Sequence, residues 1–292
     1  MTADWRQLYP FASHTLTLDS WRYHYLDEGS GEPLLMVHGN PTWSFYWRNL
    51  ILAFRDRHRV VVPDHMGCGW SDKPQAYPYC LSTHIANLVQ LIEHLDLRAV
   101  TLLVHDWGGP IGLGAALRVP DRIARLVLFN TGAYPPPFLP WRLRVCRTPW
   151  LGRWAIRRLN LFARFALWMA VHKRERMTPE VRAGLLAPYD SWEHRVAIDR
   201  FVADIPATPR HPTWQVLEEI ERGLGSLADR PVQMIWGMRD WCFRPECLDR
   251  LLEAFPAAEV QRLPDAGHYV IEDAYEQIIP LAEAFLNAHP LR

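Results

Sequence analysis

The chain has 292 residues, 49% of them apolar, and its 32 Lys+Arg are balanced by 32 Asp+Glu. That length can bury a substantial core without disulfide or metal staples, and the absence of a basic excess argues against a nucleic-acid-binding protein. The five cysteines (Cys68, Cys80, Cys146, Cys242, Cys247) are irregularly spaced, as expected of free thiols in a reducing compartment.

The opening Met1-Thr2-Ala3-Asp4-Trp5-Arg6 lacks the basic-then-apolar pattern of a leader, and no apolar run is long enough to span a bilayer. A cytoplasmic protein is expected. Thr15–Asp19 and Trp21–Asp27 alternate as an antiparallel strand pair. Pro33–His38 reads as a buried strand stopping at Gly39, and Ser44–Phe54 as helical. Arg59–Pro63 is the next strand, followed by the turn-rich Asp64–Pro74 and the amphipathic helix Leu81–Leu95. Val100–His105 predicts a strand, Trp107–Val119 a helix, and Ile123–Phe129 another strand.

From about Gly132 to Pro212 no strand is legible, and the segment, rich in Trp, Arg and Pro, reads as helices. Alternation resumes with the strand Val232–Trp236, a helix near Pro245–Phe255, a short strand Glu259–Leu263 and a last helix Tyr275–Ala288. This predicts an α/β core with a mostly parallel sheet, in two parts (1–132 and 213–292), interrupted by a helical cap (133–212). Within the insert, Arg153, Arg157, Asn160 and Arg164 share one helical face and Trp154, Leu161, Phe165 and Trp168 another. That pattern predicts a lid helix with its apolar side on the core and its arginines in water. The alternative is a basic amphipathic surface for a membrane or for an acidic partner, such as another enzyme, because Glu175 is the sole acid in Trp141–Arg176.

Val104-His105-Asp106-Trp107-Gly108-Gly109 falls where a strand ends and a helix begins. A sharp turn there lifts one side chain above the sheet, the position serine holds in G-x-S-x-G enzymes. Asp106 occupies it here, either as a helix cap or as a nucleophile. A carboxylate is already ionised near neutral pH, so it needs no base for attack. It forms an ester with saturated carbon, and a base aimed at water must then cleave that ester. His268, in Ala266-Gly267-His268-Tyr269, is the candidate base, or else an idle loop histidine. Asp240, after the strand Val232–Trp236, is its candidate partner. The order nucleophile, acid, histidine is that of the α/β-hydrolase fold. His38-Gly39-Asn40-Pro41 would supply one oxyanion-hole N–H and Trp107 the other. The Asn40 amide and Trp107 indole N–H are further donors suited to a departing halide, unless they are merely a turn residue and a packing residue. No metal motif or phosphate loop is present, and no cofactor or metal is expected.

These segments resemble the haloalkane dehalogenase family. The resemblance runs through His38-Gly39-Asn40-Pro41-Thr42-Trp43, Asp64 to Pro74, His105-Asp106-Trp107-Gly108-Gly109 and the His268 segment, and is weakest in the insert. It implies an eight-stranded α/β-hydrolase fold. It also implies that Asp106 attacks the halogen-bearing carbon, Asn40 and Trp107 bind the halide, and His268 activates water, with Asp240 as a late acid. Members with an early acid carry it where Asn130 stands. The late-acid subgroup also contains β-lactone decarboxylases of long-chain olefin biosynthesis. Ala187-Pro188-Tyr189-Asp190-Ser191-Trp192, Phe201-Val202-Ala203-Asp204-Ile205-Pro206 and Asn130-Thr131-Gly132-Ala133 are similar to those enzymes. Dehalogenation is the first expectation and lactone decarboxylation to a cis-alkene the alternative. An epoxide hydrolase and a non-catalytic receptor rank below both. The expected partners are a small apolar substrate, a halide ion and, by the subgroup's habit, further copies of the chain.

Overall fold

The computed structural model describes residues 4–148 and 150–291. Met1–Ala3, on which the reading of the leader partly rests, lie outside that range. Eight strands form one sheet: β1 (Ser13–Leu18), β2 (Trp21–Glu28), β3 (Pro33–Val37), β4 (Arg59–Pro63), β5 (Val100–Asp106), β6 (Ile123–Thr131), β7 (Val232–Gly237) and β8 (Glu259–Leu263). Their order is β1-β2-β4-β3-β5-β6-β7-β8. The β1–β2 and β2–β4 pairs are antiparallel, and every pair from β4 to β8 is parallel. The central strands are buried on both faces, as helix-covered parallel strands must be. Val-Val-Val of β4 and Leu-Leu-Met-Val of β3 are the result.

The chain leaves β3 toward β4 on one side, then crosses back to place β5 on the other. At such a reversal the loops after the two strands diverge and open a crevice above their C-terminal ends. Both loops carry candidate residues: Asn40 follows β3, and Asp106 ends β5.

Between β6 and β7 the structure has helices and no strand among its described residues. The expected single lid helix is two, Leu151–Leu159 and Leu161–Met169, because Asn160 takes a left-handed backbone (φ 54°). Its orientation also differs from the expectation. Arg153 and Arg164 of the polar stripe are exposed as expected, but Arg157 and Asn160 are buried, whereas Trp154, Phe165 and Trp168 of the apolar stripe are about half exposed. The reason is local bonding. Arg157 donates to the Trp192 carbonyl and the Gln75 side chain, and the Asn160 amide donates to the Tyr189 carbonyl. Polar groups with fixed partners hold the inner side. Among the described residues no helix is long and apolar enough to cross a membrane.

The last helix starts at Val270, five residues before the expected Tyr275, with a kink at Ala274. Buried Glu272, in its first turn, takes a two-pronged pair from buried Arg48, with Nη1–Oε1 2.5 Å and Nη2–Oε2 2.8 Å. Bidentate geometry of this kind orients as well as binds.

Candidate active site

Asp106 is held in a conformation that a non-glycine residue rarely adopts, with φ at 52°. The turn is clamped from three sides. The Thr131 hydroxyl donates to the Asp106 carbonyl at 2.5 Å. A Cβ at Gly108 would lie 2.0 Å from the Val37 carbonyl oxygen, so only glycine lets the following helix approach β3 this closely. A Cβ at Gly39 would lie 2.1 Å from the Asp106 carboxylate itself. The N-cap position of the following helix, Gly108–Arg118, is held by Trp107 and not by Asp106.

The carboxylate has two different oxygens. Oδ2 accepts the backbone N–H of Asn40 at 2.7 Å, and the backbone N–H of Trp107 helps to favour the charged carboxylate. Oδ1 stands 3.9 Å from His268 Nε2. Burial pushes the Asp106 carboxyl above its ordinary range, although the His268 charge and the two N–H donors pull it back down. One oxygen is therefore anchored and the other faces the imidazole.

His268 Nδ1 donates to Asp240 Oδ2 at 2.9 Å, and Asp240 is buried. That bond leaves Nε2 as the basic nitrogen of the neutral ring. Burial pulls the imidazole down, but the charge and hydrogen bond of Asp240, followed by the charge of Asp106, outweigh it and raise the pKa above its ordinary value. The Phe243 ring stacks against the imidazole at 5.7 Å.

Two further buried histidines hold the backbone on either side. His38 Nδ1 donates to the Gly39 carbonyl at 2.7 Å, and its Nε2 accepts the His65 N–H at 3.1 Å. His105 Nε2 donates to the His268 carbonyl at 2.7 Å. Burial pushes both rings toward the neutral form, which is what these roles require.

All five residues singled out in the sequence, Asp106, His268, Asp240, Asn40 and Trp107, belong to this arrangement. Four of them, all but Asp240, line one cavity of about 420 Å³. The remaining wall is largely apolar and aromatic, including Phe138, Leu143, Phe162, Met169, Val202 and Trp241. Among the described residues neither the Asn40 amide nitrogen nor the Trp107 indole N–H donates to a protein acceptor.

Sequence reasoning missed two supporting residues. Asn130, noted in the sequence as an uncharged residue at the early-acid position and as part of a decarboxylase-like segment but given no role, has an amide that bridges three groups. It donates to Asp240 Oδ2 at 3.1 Å and to the Gly237 carbonyl at 3.0 Å, and it accepts the Gly237 N–H at 2.7 Å. Its place near the end of a central strand was the available signal. Asp273 accepts the backbone N–H groups of Gly267 (2.7 Å), His172 (2.9 Å) and Lys173 (2.8 Å), tying the His268 loop to the helical insert. Its sequence neighbours gave no such hint.

The family described as having the alpha/beta hydrolase fold matches residues 32–158 and 193–275. The chain belongs to the α/β-hydrolase family. Within it, the chain is 44% identical to a cis-3-alkyl-4-alkyloxetan-2-one decarboxylase of Xanthomonas campestris pv. campestris, covering 91% of this chain and 93% of that one. It is 42% identical to the enzyme of the same name from Shewanella oneidensis, covering 96% and 90%. Haloalkane dehalogenase 2 of Mycobacterium tuberculosis is 35% identical, with 93% and 94% covered. Among solved structures, haloalkane dehalogenase DatA from Agrobacterium tumefaciens superposes with a TM-score of 0.87 at 24% identity, covering 96% and 97%. At that identity the likeness speaks for the fold. This α/β-hydrolase is thus similar to enzymes of both expected activities.

Proposed function

We propose that this α/β-hydrolase decarboxylates a cis-3,4-dialkyl β-lactone to a cis-alkene, with Asp106 as nucleophile. The observation that carries the reading is the 42–44% identity, over nearly the whole chain, to two enzymes named for that substrate. The apolar, aromatic cavity above Asp106 suits a substrate with two alkyl arms. Dehalogenation, the first expectation from the sequence, becomes the second reading, because relatives named for it stand at 31–35%.

The chemistry balances. Asp106 Oδ1 attacks the oxygen-bearing ring carbon from behind and breaks its C–O bond, relieving ring strain. This gives an alkyl ester on Asp106 and a free carboxylate on the neighbouring carbon. The free side-chain donors, the Asn40 amide and the Trp107 indole N–H, are the groups available to stabilise that developing anion, because the Asn40 backbone N–H is taken by Oδ2. Loss of carbon dioxide sends an electron pair into the new double bond and expels the Asp106 carboxylate. Inversion at attack followed by anti fragmentation places both alkyl groups on the same side, so a cis ring yields a cis-alkene. Water is not consumed.

In the second reading the same ester forms from a haloalkane, with the Asn40 amide and Trp107 indole holding the halide. His268 takes a proton from water as that water attacks the ester carbonyl. Oδ2 becomes the oxyanion, stabilised by the Asn40 N–H that already donates to it and, in this reading, by the Trp107 N–H. In either reading residues 133–212 act as a cap over the two-part core.

A parallel assay decides between them. Purified protein is given a cis-dialkyl β-lactone and, separately, 1-haloalkanes. The proposal expects alkene and carbon dioxide from the first. Halide release without alkene would establish the second reading, and no turnover of either would remove both.

A further inference from the structure

The outer face of the insert is the most unusual surface of the molecule. On it Trp141 is 69% exposed, Trp150 88% and Leu151 65%, while Val145, Trp154, Phe165 and Trp168 are each about half exposed. Large apolar side chains grouped in this way on a surface mark a docking site. They follow the helical repeat. Leu151, Trp154 and Arg158 share one face of their helix, and Arg164, Phe165 and Trp168 share one face of the next.

The charge on this face is predominantly basic. From Arg122 to Arg174 the sequence contains no Asp or Glu. Arg153 has a carboxylate from elsewhere, Asp199 at 3.5 Å. Arg142, Arg144, Arg158 and Arg164 are exposed and form no ion pair with a described carboxylate. Arg142 lies over the Trp141 and Trp241 rings, and Arg174 over the Trp168 ring.

The same residues lie at the rim of the cavity. Trp141, Val145, Leu151 and Phe165 line it and are also exposed. The apolar patch is therefore continuous with the walls leading to Asp106.

We propose that this face docks on an anionic lipid surface and draws its alkyl-chain substrate from that surface into the cavity. Tryptophan and arginine are the side chains suited to the boundary between headgroups and acyl chains, and an unopposed basic face complements anionic headgroups. A second copy of the chain is a poorer occupant, because self-pairing would bring unneutralised arginines together. The choice of cargo rests on the proposed function, but the docking does not.

The test uses the full chain without substrate, sedimented with vesicles of phosphatidylglycerol or of phosphatidylcholine. Binding to the anionic vesicles is expected, decreasing as salt rises, with much weaker binding to the zwitterionic ones. Each basic residue near an anionic surface changes binding about fivefold. The double variant Arg158→Glu/Arg164→Glu removes two such charges and adds two of opposite sign, so it should bind at least about 25-fold and up to several hundredfold more weakly, with unchanged circular dichroism and unchanged turnover of a dispersed short-chain substrate. Trp154→Ala/Trp168→Ala should weaken binding while keeping its salt dependence. Failure of the folded protein to sediment with phosphatidylglycerol at low salt overturns the proposal. So does binding that the arginine reversal leaves intact, or a reversal that changes only the oligomeric mass, which would mark an interface between copies. The lactone assay reads chemistry alone, so the two proposals fail separately.

Discussion

His268 Nε2 faces Asp106 Oδ1 across 3.9 Å, too far for a hydrogen bond and wide enough for a reacting group or water to meet both. Asp106 is anchored through its other oxygen, so it does not depend on the imidazole for its position. Attack by the carboxylate and the later use of the imidazole are separable steps.

Removing the nucleophile tests the first step. Asp106→Asn keeps the shape and the acceptor for the Asn40 N–H but loses the charged oxygen. Turnover should fall by on the order of 10⁴-fold or more with any true substrate, while the thermal midpoint changes little or rises, because a buried charge disappears. Near-normal turnover measured by gas chromatography would remove Asp106 from the chemistry.

His268→Gln separates the two reactions. With a haloalkane the ester should form and persist, seen as a mass increase on the peptide carrying Asp106. With a lactone, fragmentation of the ester needs no base, so alkene should still form within about tenfold of the unmodified rate. Complete loss of alkene with no adduct would mean that the imidazole acts before or during attack.

The pH profiles should differ for the same reason. Asp240 and Asp106 raise the His268 pKa above its usual value despite burial, so the ring stays protonated to a higher pH than a free histidine. Only the neutral ring can accept a proton from water. Dehalogenation should therefore lose rate as pH falls, with a limb above the ordinary histidine range, whereas the lactone reaction should lack that limb. Matching limbs in single-turnover measurements of both would contradict this division.

Asn130→Leu tests the amide that bridges Asp240 and Gly237. Its loss leaves a buried carboxylate oxygen with one donor fewer, the Gly237 N–H without its acceptor, and the Gly237 carbonyl with only the long Asp240 N–H bond at 3.4 Å. Destabilisation of about 2–4 kcal/mol is expected by chemical denaturation, together with a lower kcat at similar KM. A variant that loses stability but keeps kcat would show the amide to be structural only.

Asp273→Ala should free the His268 loop from the insert. Three N–H groups lose their acceptor, which predicts a loss of about 3 kcal/mol or more and faster amide exchange at Gly267, His172 and Lys173. Unchanged exchange there would mean that the two segments are held together by other contacts.

The sequence alone was enough for the fold class and the strand order in the chain, and the five candidate residues it singled out lie together in the structure. Each left a local mark: buried runs of β-branched and aliphatic residues, glycines wherever a backbone must pass closely, and an Asp, an Asn and a His each at the C-terminal end of a strand. What it could not show depends on chain segments far apart in sequence. The bond from Asn130 to Asp240 joins β6 to the loop after β7, and the Asp273 clasp joins the last helix to the insert, so neither has a local signature. The insert was misread for the same reason. Helical periodicity shows that two faces differ but not which one turns inward. Arg157 and Asn160 face inward because carbonyls and amides from remote segments receive them, and the tryptophans are left outside.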